Sequence, residues 1–199
     1  MTSKLIIMLL FFSASGYSKS GFLNQSTLSL GMTTINFTET DEGLGSVEKP
    51  ASGSNSFVSV DYNYQFMNKQ DRSYYIRLFS PFLESSGSGY FGSTLGVNYY
   101  FNSISSEINF LSQNDSISLK PQIIYSFGAE VGTGYLVYLT ETAKKSDILI
   151  EYSAQLSVSY AISRSNNIKL HMAFGQGIGA EVNALIMKLF LGYNTYTFD

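Results

Sequence analysis

From Ser56 to Phe66 the chain alternates without interruption: Val58, Val60, Tyr62, Tyr64 and Phe66 hold one parity, and Ser59, Asp61, Asn63 and Gln65 the other. Successive side chains of a strand point to opposite faces, so this segment has one apolar and one polar face. The same pattern returns through most of the chain, and its apolar parity is rich in Tyr and Phe, of which there are 15 each. A strand reads this way when one side meets lipid and the other a polar lumen. The expected fold class is therefore all-β: a transmembrane, up-and-down, antiparallel β-barrel.

The first residues bear on the compartment. Lys4 precedes eight apolar residues, Leu5 to Phe12, and then Ala14-Ser15-Gly16. A charged start, a short apolar run and small residues at a cleavage point make the pattern of a secretory signal peptide over residues 1–16. Eight apolar residues are too few for a spanning helix, which takes about 20, and Ser, Asn, Gly or a charge interrupts every later run. An exported chain of this kind enters a membrane only as a closed sheet.

Cleavage after Gly16 leaves residues 17–199 as a single barrel domain, with 11 basic against 15 acidic residues once Lys4 is lost. No basic patch or arm is present, so nucleic acid is not expected as a partner. Cysteine is absent. That removes disulfides, thiolate metal sites and a lipidated cysteine together, and leaves a hydrogen-bond ladder and apolar contacts to hold the fold.

Strands are expected near Ser26–Phe37, Ser56–Phe66, Ser73–Phe82 and Phe91–Phe101, then from Ser116 with a continuation as far as Leu139, and at Ile148–Ser163, Ile168–Gly175 and Asn183–Phe198. The polar run Thr38 to Asn55 reads as a long loop, and Met67 to Arg72 and Arg164 to Asn167 as tight turns. Eight strands result. The stretch Asn102 to Asp115 reads either as a short helix or, at Glu107 to Phe110, as a strand; with a break at Gly128 or at Gly132-Thr133-Gly134 the count becomes ten. Aromatic girdles are expected from Tyr64, Phe66, Tyr74, Tyr99, Phe101, Tyr160, Tyr196 and Phe198 at the end holding both termini, and from Phe57, Phe82, Phe91, Tyr152 and Phe174 at the other. The alternative use of these aromatics is the core of a soluble secreted β-sandwich or lipocalin-like ligand binder.

Leu95-Gly96-Val97-Asn98-Tyr99-Tyr100-Phe101 resembles the glycine-aromatic strand ending of small outer-membrane barrels of the OmpA and OmpX type, and Tyr196-Thr197-Phe198 resembles their C-terminal assembly signal. The resemblance implies an eight-stranded barrel in the outer membrane of a Gram-negative envelope. Its implied partners are outer-membrane lipid, lipopolysaccharide and the barrel-assembly machinery. The chain departs from the pattern by ending in Asp199, and by the parity of Leu185 to Tyr193, which is opposite to that of Tyr196 and Phe198; a bulge near Asn194 would reconcile the two phases.

An eight-stranded lumen is only wide enough to be filled by side chains. The polar parity directs Asp61, Arg77, Lys120, Glu151, Lys169, His171 and Lys188 inward. Buried charges require partners, so Asp61 and Glu151 are expected to pair with Arg77, Lys120 or Lys188. His171 is the only histidine. It reads as a hydrogen-bonded lumen side chain, or as the base of a lipid-modifying enzyme with Ser157 or Ser159 and Glu151; a metal site would need further ligands. Gly175-Gln176-Gly177-Ile178-Gly179 lacks the helix a nucleotide fingerprint requires. Glu39 to Gly43 reads as a solvated loop or a surface cation site, and Lys144-Lys145 as solvated or as a headgroup contact. The function expected from these readings is a non-enzymatic wall, without cofactor or metal, whose external loops serve envelope structure or a protein partner.

Overall fold

The computed structural model describes residues 24–40, 52–69, 72–82, 88–101, 110–111, 116–117, 123–139, 144–162 and 166–197. The signal peptide, residues 1–16, and its cleavage point lie outside these residues. So do Lys120 and Phe198.

Eight long strands close into one antiparallel barrel. They are β1 (Asn24–Glu39), β2 (Ser52–Lys69), β3 (Arg72–Pro81), β4 (Gly89–Tyr100), β7 (Ile123–Leu139), β8 (Lys144–Ala161), β9 (Asn166–Ile178) and β10 (Val182–Thr197), with a two-residue hairpin, β5 (Phe110–Leu111) against β6 (Ser116–Ile117), between β4 and β7. The order around the barrel is β1-β10-β9-β8-β7-β4-β3-β2. Every barrel strand therefore has two hydrogen-bonded neighbours, and no edge is left open to water or lipid.

The closed sheet is staggered. From Glu151 on β8 the register leads directly to Gly177 on β9; the other way round, through Gly132, Thr94, Arg77, Asn63, Thr27 and Asn194, it arrives at Asn167 of β9, ten residues away. Such a shear in eight strands corresponds to a tilt of about 40°.

Three departures from the sequence expectation have physical reasons. β7 begins at Ile123, not Ser116, and runs unbroken through Gly128, Gly132 and Gly134. These glycines keep the ladder because they face inward where a neighbour crowds them: a Cβ on Gly132 would lie 2.0 Å from the carbonyl oxygen of Ser93. Phe57 faces the lumen and is 1% exposed, so it is not a girdle residue. The bulge near Asn194 is absent, because the β1–β10 register runs unshifted from Glu39–Val182 to Asn24–Thr197.

Leu30, Leu95, Val131, Ile150, Leu156, Leu170, Leu189 and Leu191 are among the large apolar side chains exposed on the outer wall. Rings gather toward the end that holds both termini. Tyr74, Tyr99, Phe101, Tyr125, Phe127, Tyr160 and Tyr193 are exposed there, with Phe127 stacked on Tyr99 at 5.4 Å and tilted against Phe101 at 5.1 Å. Toward the opposite end lie Phe82, Phe91, Tyr152 and Phe174.

Leu156→Arg, in the middle of β8, should lower folding stability in lipid vesicles by about 2–4 kcal/mol, and Ile148→Arg, near its loop end, by about 0–1 kcal/mol. Urea titrations of the vesicle-folded protein check this; equal costs at the two depths would contradict a lipid-facing wall.

Candidate functional site: the lumen

Connections 40–51, 82–88, 140–143 and 179–181 lie at the end opposite the termini, here the loop end; 70–71, 101–122 and 162–165 lie at the terminal end. Inward side chains fall into three layers between them. At the loop end Ile35, Phe37, Phe57, Phe79, Tyr90, Leu136, Tyr138, Leu149, Val182, Ala184 and Ile186 form one buried apolar cluster. Charged groups occupy the middle. Toward the terminal end the lining is small and polar, including Gln25, Thr27, Asn63, Gln65, Ser73, Asn98, Ser126, Ser157, Ser159 and Asn194, all buried.

Glu130 of β7 is the hub of the middle layer. Its Oε2 accepts from Arg77 Nη1 at 2.7 Å, from the Tyr75 hydroxyl at 2.9 Å and from Thr94 Oγ1 at 3.1 Å. Its Oε1 accepts from Ser153 Oγ at 2.9 Å and lies 3.6 Å from Lys188 Nζ. Arg77 also reaches Gln155 Oε1 at 3.0 Å, lies 3.4 Å from Asp61 through Nε, and stands over the Tyr75 ring at 5.2 Å. Lys188 pairs with Glu151 and rests over the Phe79 ring at 4.0 Å, while the Tyr90 hydroxyl donates to Glu151 Oε2 at 2.7 Å. Arg77, Lys188, Asp61, Glu130 and Glu151 thus meet as two cations and three carboxylates on five strands. Glu130 and Glu151 each have two or more donors, the state that low-polarity surroundings require of buried carboxylates, whereas Asp61 Oδ1 faces Arg77 Nε at 3.4 Å without a hydrogen bond.

Two of the inward tyrosines are accommodated by glycines. A Cβ on Gly96 would lie 2.2 Å from the Tyr75 hydroxyl, and one on Gly134 2.2 Å from that of Tyr90. Each ring lies across a glycine of the neighbouring strand to reach its carboxylate.

The inward residues expected from the sequence separate into groups. Asp61 and Arg77 come together, as do Glu151 and Lys188. Lys169 and His171, both on β9, are 6% and 3% exposed. Lys169 has no carboxylate at ion-pair distance among the described residues, and neither ring nitrogen of His171 has a hydrogen-bond partner. Ser157, which faces His171 in the register, shares a 2.6 Å hydrogen bond with Ser126 instead. Lys120 lies outside the described residues. Glu130, Tyr75 and Tyr90 were missed. Glu130 shares the parity of Gly128, Gly132 and Gly134, and reading those glycines as a possible break hid the strand that carries it.

At the loop rim Lys145 Nζ donates to Glu39 at 2.8 Å, and Tyr138 donates to the same carboxylate oxygen at 3.2 Å. Asp147 accepts from the backbone N–H groups of Glu181 and Val182 at 2.8 and 3.0 Å, closing the turn between β9 and β10. Among the described residues no group of three or more His, Asp or Glu is placed to hold a metal ion.

An apolar outer wall, interface aromatics and a lumen filled by side chains, charged in its middle, define a barrel of the small outer-membrane class. The chain is similar in fold to the crystal structure of Neisserial surface protein A, with a TM-score of 0.57 at 12% identity, over 90% of this chain and 99% of that one. It is similar also to the N-terminal β-barrel domain of Pseudomonas aeruginosa OprF, with a TM-score of 0.50 at 7% identity, over 83% of this chain and 96% of that one. No protein-family model and no curated protein sequence matches the chain.

Glu130→Ala should destabilise the folded barrel by about 3–5 kcal/mol, because Arg77 is left buried without its main partner. Gly134→Val should displace Tyr90 from Glu151 and cost about 1–3 kcal/mol by overpacking. Denaturant titrations read both. A near-neutral Glu130→Ala would mean that water, rather than this carboxylate, carries the Arg77 charge.

Proposed function

We propose that the protein is a non-enzymatic outer-membrane wall, closed to solute flow, that works through the surface at its loop end. The carrying observation is the buried apolar cluster from Ile35 to Ile186, which stands between the charged middle of the lumen and the loop end. An ion moving along the lumen would have to leave the carboxylates and cations that solvate it and cross a layer offering almost no polar group. The loops, by contrast, leave a rim tied together by Glu39, Tyr138 and Lys145, and loops on a rigid scaffold are where binding surfaces concentrate. On this reading lipid and lipopolysaccharide surround the wall, and a protein partner or the envelope itself meets connections 40–51 and 82–88.

The non-enzymatic part of the reading is supported by His171, whose two nitrogens face no Ser, Asp or Glu at hydrogen-bond distance. A general base needs such a partner to orient it and to receive a proton from. His171→Ala should therefore leave any envelope phenotype of the protein unchanged.

In a planar bilayer the purified protein should give no resolved conductance steps; stable steps would sink the closed-wall reading. Trypsin added to intact cells should cut at Lys49, in connection 40–51, and leave Arg72, at the terminal end, intact. Cleavage at Arg72 from outside would reverse the orientation on which the loop surface depends.

A further inference from the structure

The apolar outer wall is not equally tall all the way round. On β1 only Leu28, Leu30 and Met32 are exposed apolar residues; Asn24 and Ser26 precede them on the same face, and Thr34, Asn36 and Thr38 follow. On β7 the outward positions run from Ile123 through Tyr125, Phe127, Ala129 and Val131 to Tyr135, Val137 and Leu139, with Thr133 the only polar one. At about 3.3 Å per residue and a tilt of about 40°, the apolar stretch is about 10 Å tall on β1 and about 40 Å on β7. β2, from Val58 to Phe66, and β10, from Leu185 to Tyr193, flank β1 with stretches of about 20 Å.

β1 and β7 stand opposite one another in the strand order. From Leu30 the register leads through Leu191, Leu170 and Val158 to Tyr125. The other way it leads through Val60 and Ser80 and then, one step past Phe79–Gly92, through Phe91 to Tyr135. In an evenly staggered barrel the residue level with Leu30 is midway between these arrivals, at Glu130. Leu30 is the centre of the short stretch, and Val131, next to Glu130, is the centre of the tall one. The β1 stretch is therefore shorter at both ends by similar amounts. Tilting a rigid barrel raises one side of the band and lowers the other, so it cannot match a flat bilayer to a wall that narrows symmetrically about its midplane.

We propose that the partner of the β10-β1-β2 sector is a locally thinned lipid bilayer, with headgroups drawn toward Thr34 and Ser56 from one leaflet and toward Ser26 and Thr195 from the other. Thr34 and Ser56, which share a 3.0 Å hydrogen bond on the outer wall, mark its upper margin. A bilayer meets a short apolar stretch by thinning beside it, and a tall one by thickening or by letting its ends stand clear. β2 and β10, with intermediate spans, let the surface slope from one regime to the other instead of stepping. The protein then acts on lipid packing along one line of its wall, an effect independent of whether its lumen is closed or its loops bind a partner.

Nitroxide labels at Ser26→Cys and Thr34→Cys on β1, and at Phe127→Cys and Thr133→Cys on β7, test this in dimyristoylphosphatidylcholine vesicles. Each variant is first shown to be folded by heat-modifiable migration. The ratio of collisions with a water-soluble nickel chelate to collisions with oxygen should be higher at the β1 sites by on the order of tenfold, since water is excluded from the hydrocarbon core. Equal ratios at the four sites would overturn the proposal, as would shielding of the β7 sites from both reagents, which would place protein rather than lipid on that wall. A second measurement does not depend on labels. The native chain should lose refolding yield more steeply than a Ser26→Leu/Thr34→Leu variant as acyl chains lengthen from about 12 to about 18 carbons. Parallel losses would count against thinning.

Discussion

In hydrocarbon every backbone N–H and C=O must find its partner within the protein, and the other features of this barrel follow from how that demand is met. A sheet meets it only by closing, and closing eight strands fixes tilt, stagger and radius together. The ten-residue stagger decides which inward residues share a level, and so which can pair. Arg77 on β3 and Glu130 on β7 are separated by 53 positions in sequence, yet form a 2.7 Å contact over β4, the strand between them. No local motif links them.

Closure creates a second problem, because the interior is narrow and the strands bring charges into it. The chemistry is resolved by concentration of donors on few acceptors. Glu130 has five polar neighbours, drawn from β3, β4, β8 and β10. Inward glycines supply the space: with Gly96 and Gly134 on the strands beside Tyr75 and Tyr90, rigid rings lie over the neighbouring strand and deliver hydroxyls to carboxylates. A glycine in a strand weakens it in isolation, but in a closed sheet the ladder on both sides holds it, and the missing side chain becomes room for another.

Much of this was legible in the sequence, because period-2 alternation reports the two faces of a strand directly. The strand number, the inward parity of Asp61, Arg77, Glu151, Lys169, His171 and Lys188, and most of the interface aromatics follow from it. What was not legible lies where composition and parity disagree. Phe57 occupies the polar parity of β2, and it faces inward because the lumen near the loop end is apolar, a property set by six other strands and invisible within β2 itself. Glu130 sits among glycines that locally resemble a turn, and only the pairing of Gly128, Gly132 and Gly134 with β4 and β8 makes them strand. Pairings such as Arg77 with Glu130 depend on stagger, which no single strand encodes.

The three lumen layers also give the barrel a direction. Side-chain polar atoms left without protein partners, among them those of Asn63, Asn98, His171 and Asn194, belong to the middle and terminal-end layers, whereas the loop end is sealed by aliphatic and aromatic packing. Hydrogen-bonding capacity that the protein does not use draws water to one side of the seal and not to the other. The packed layer sits directly beneath the rim where Glu39, Tyr138 and Lys145 tie β1, β7 and β8 together. Apolar packing in the lumen and hydrogen bonds between β1, β7 and β8 thus coincide at the same end of the barrel.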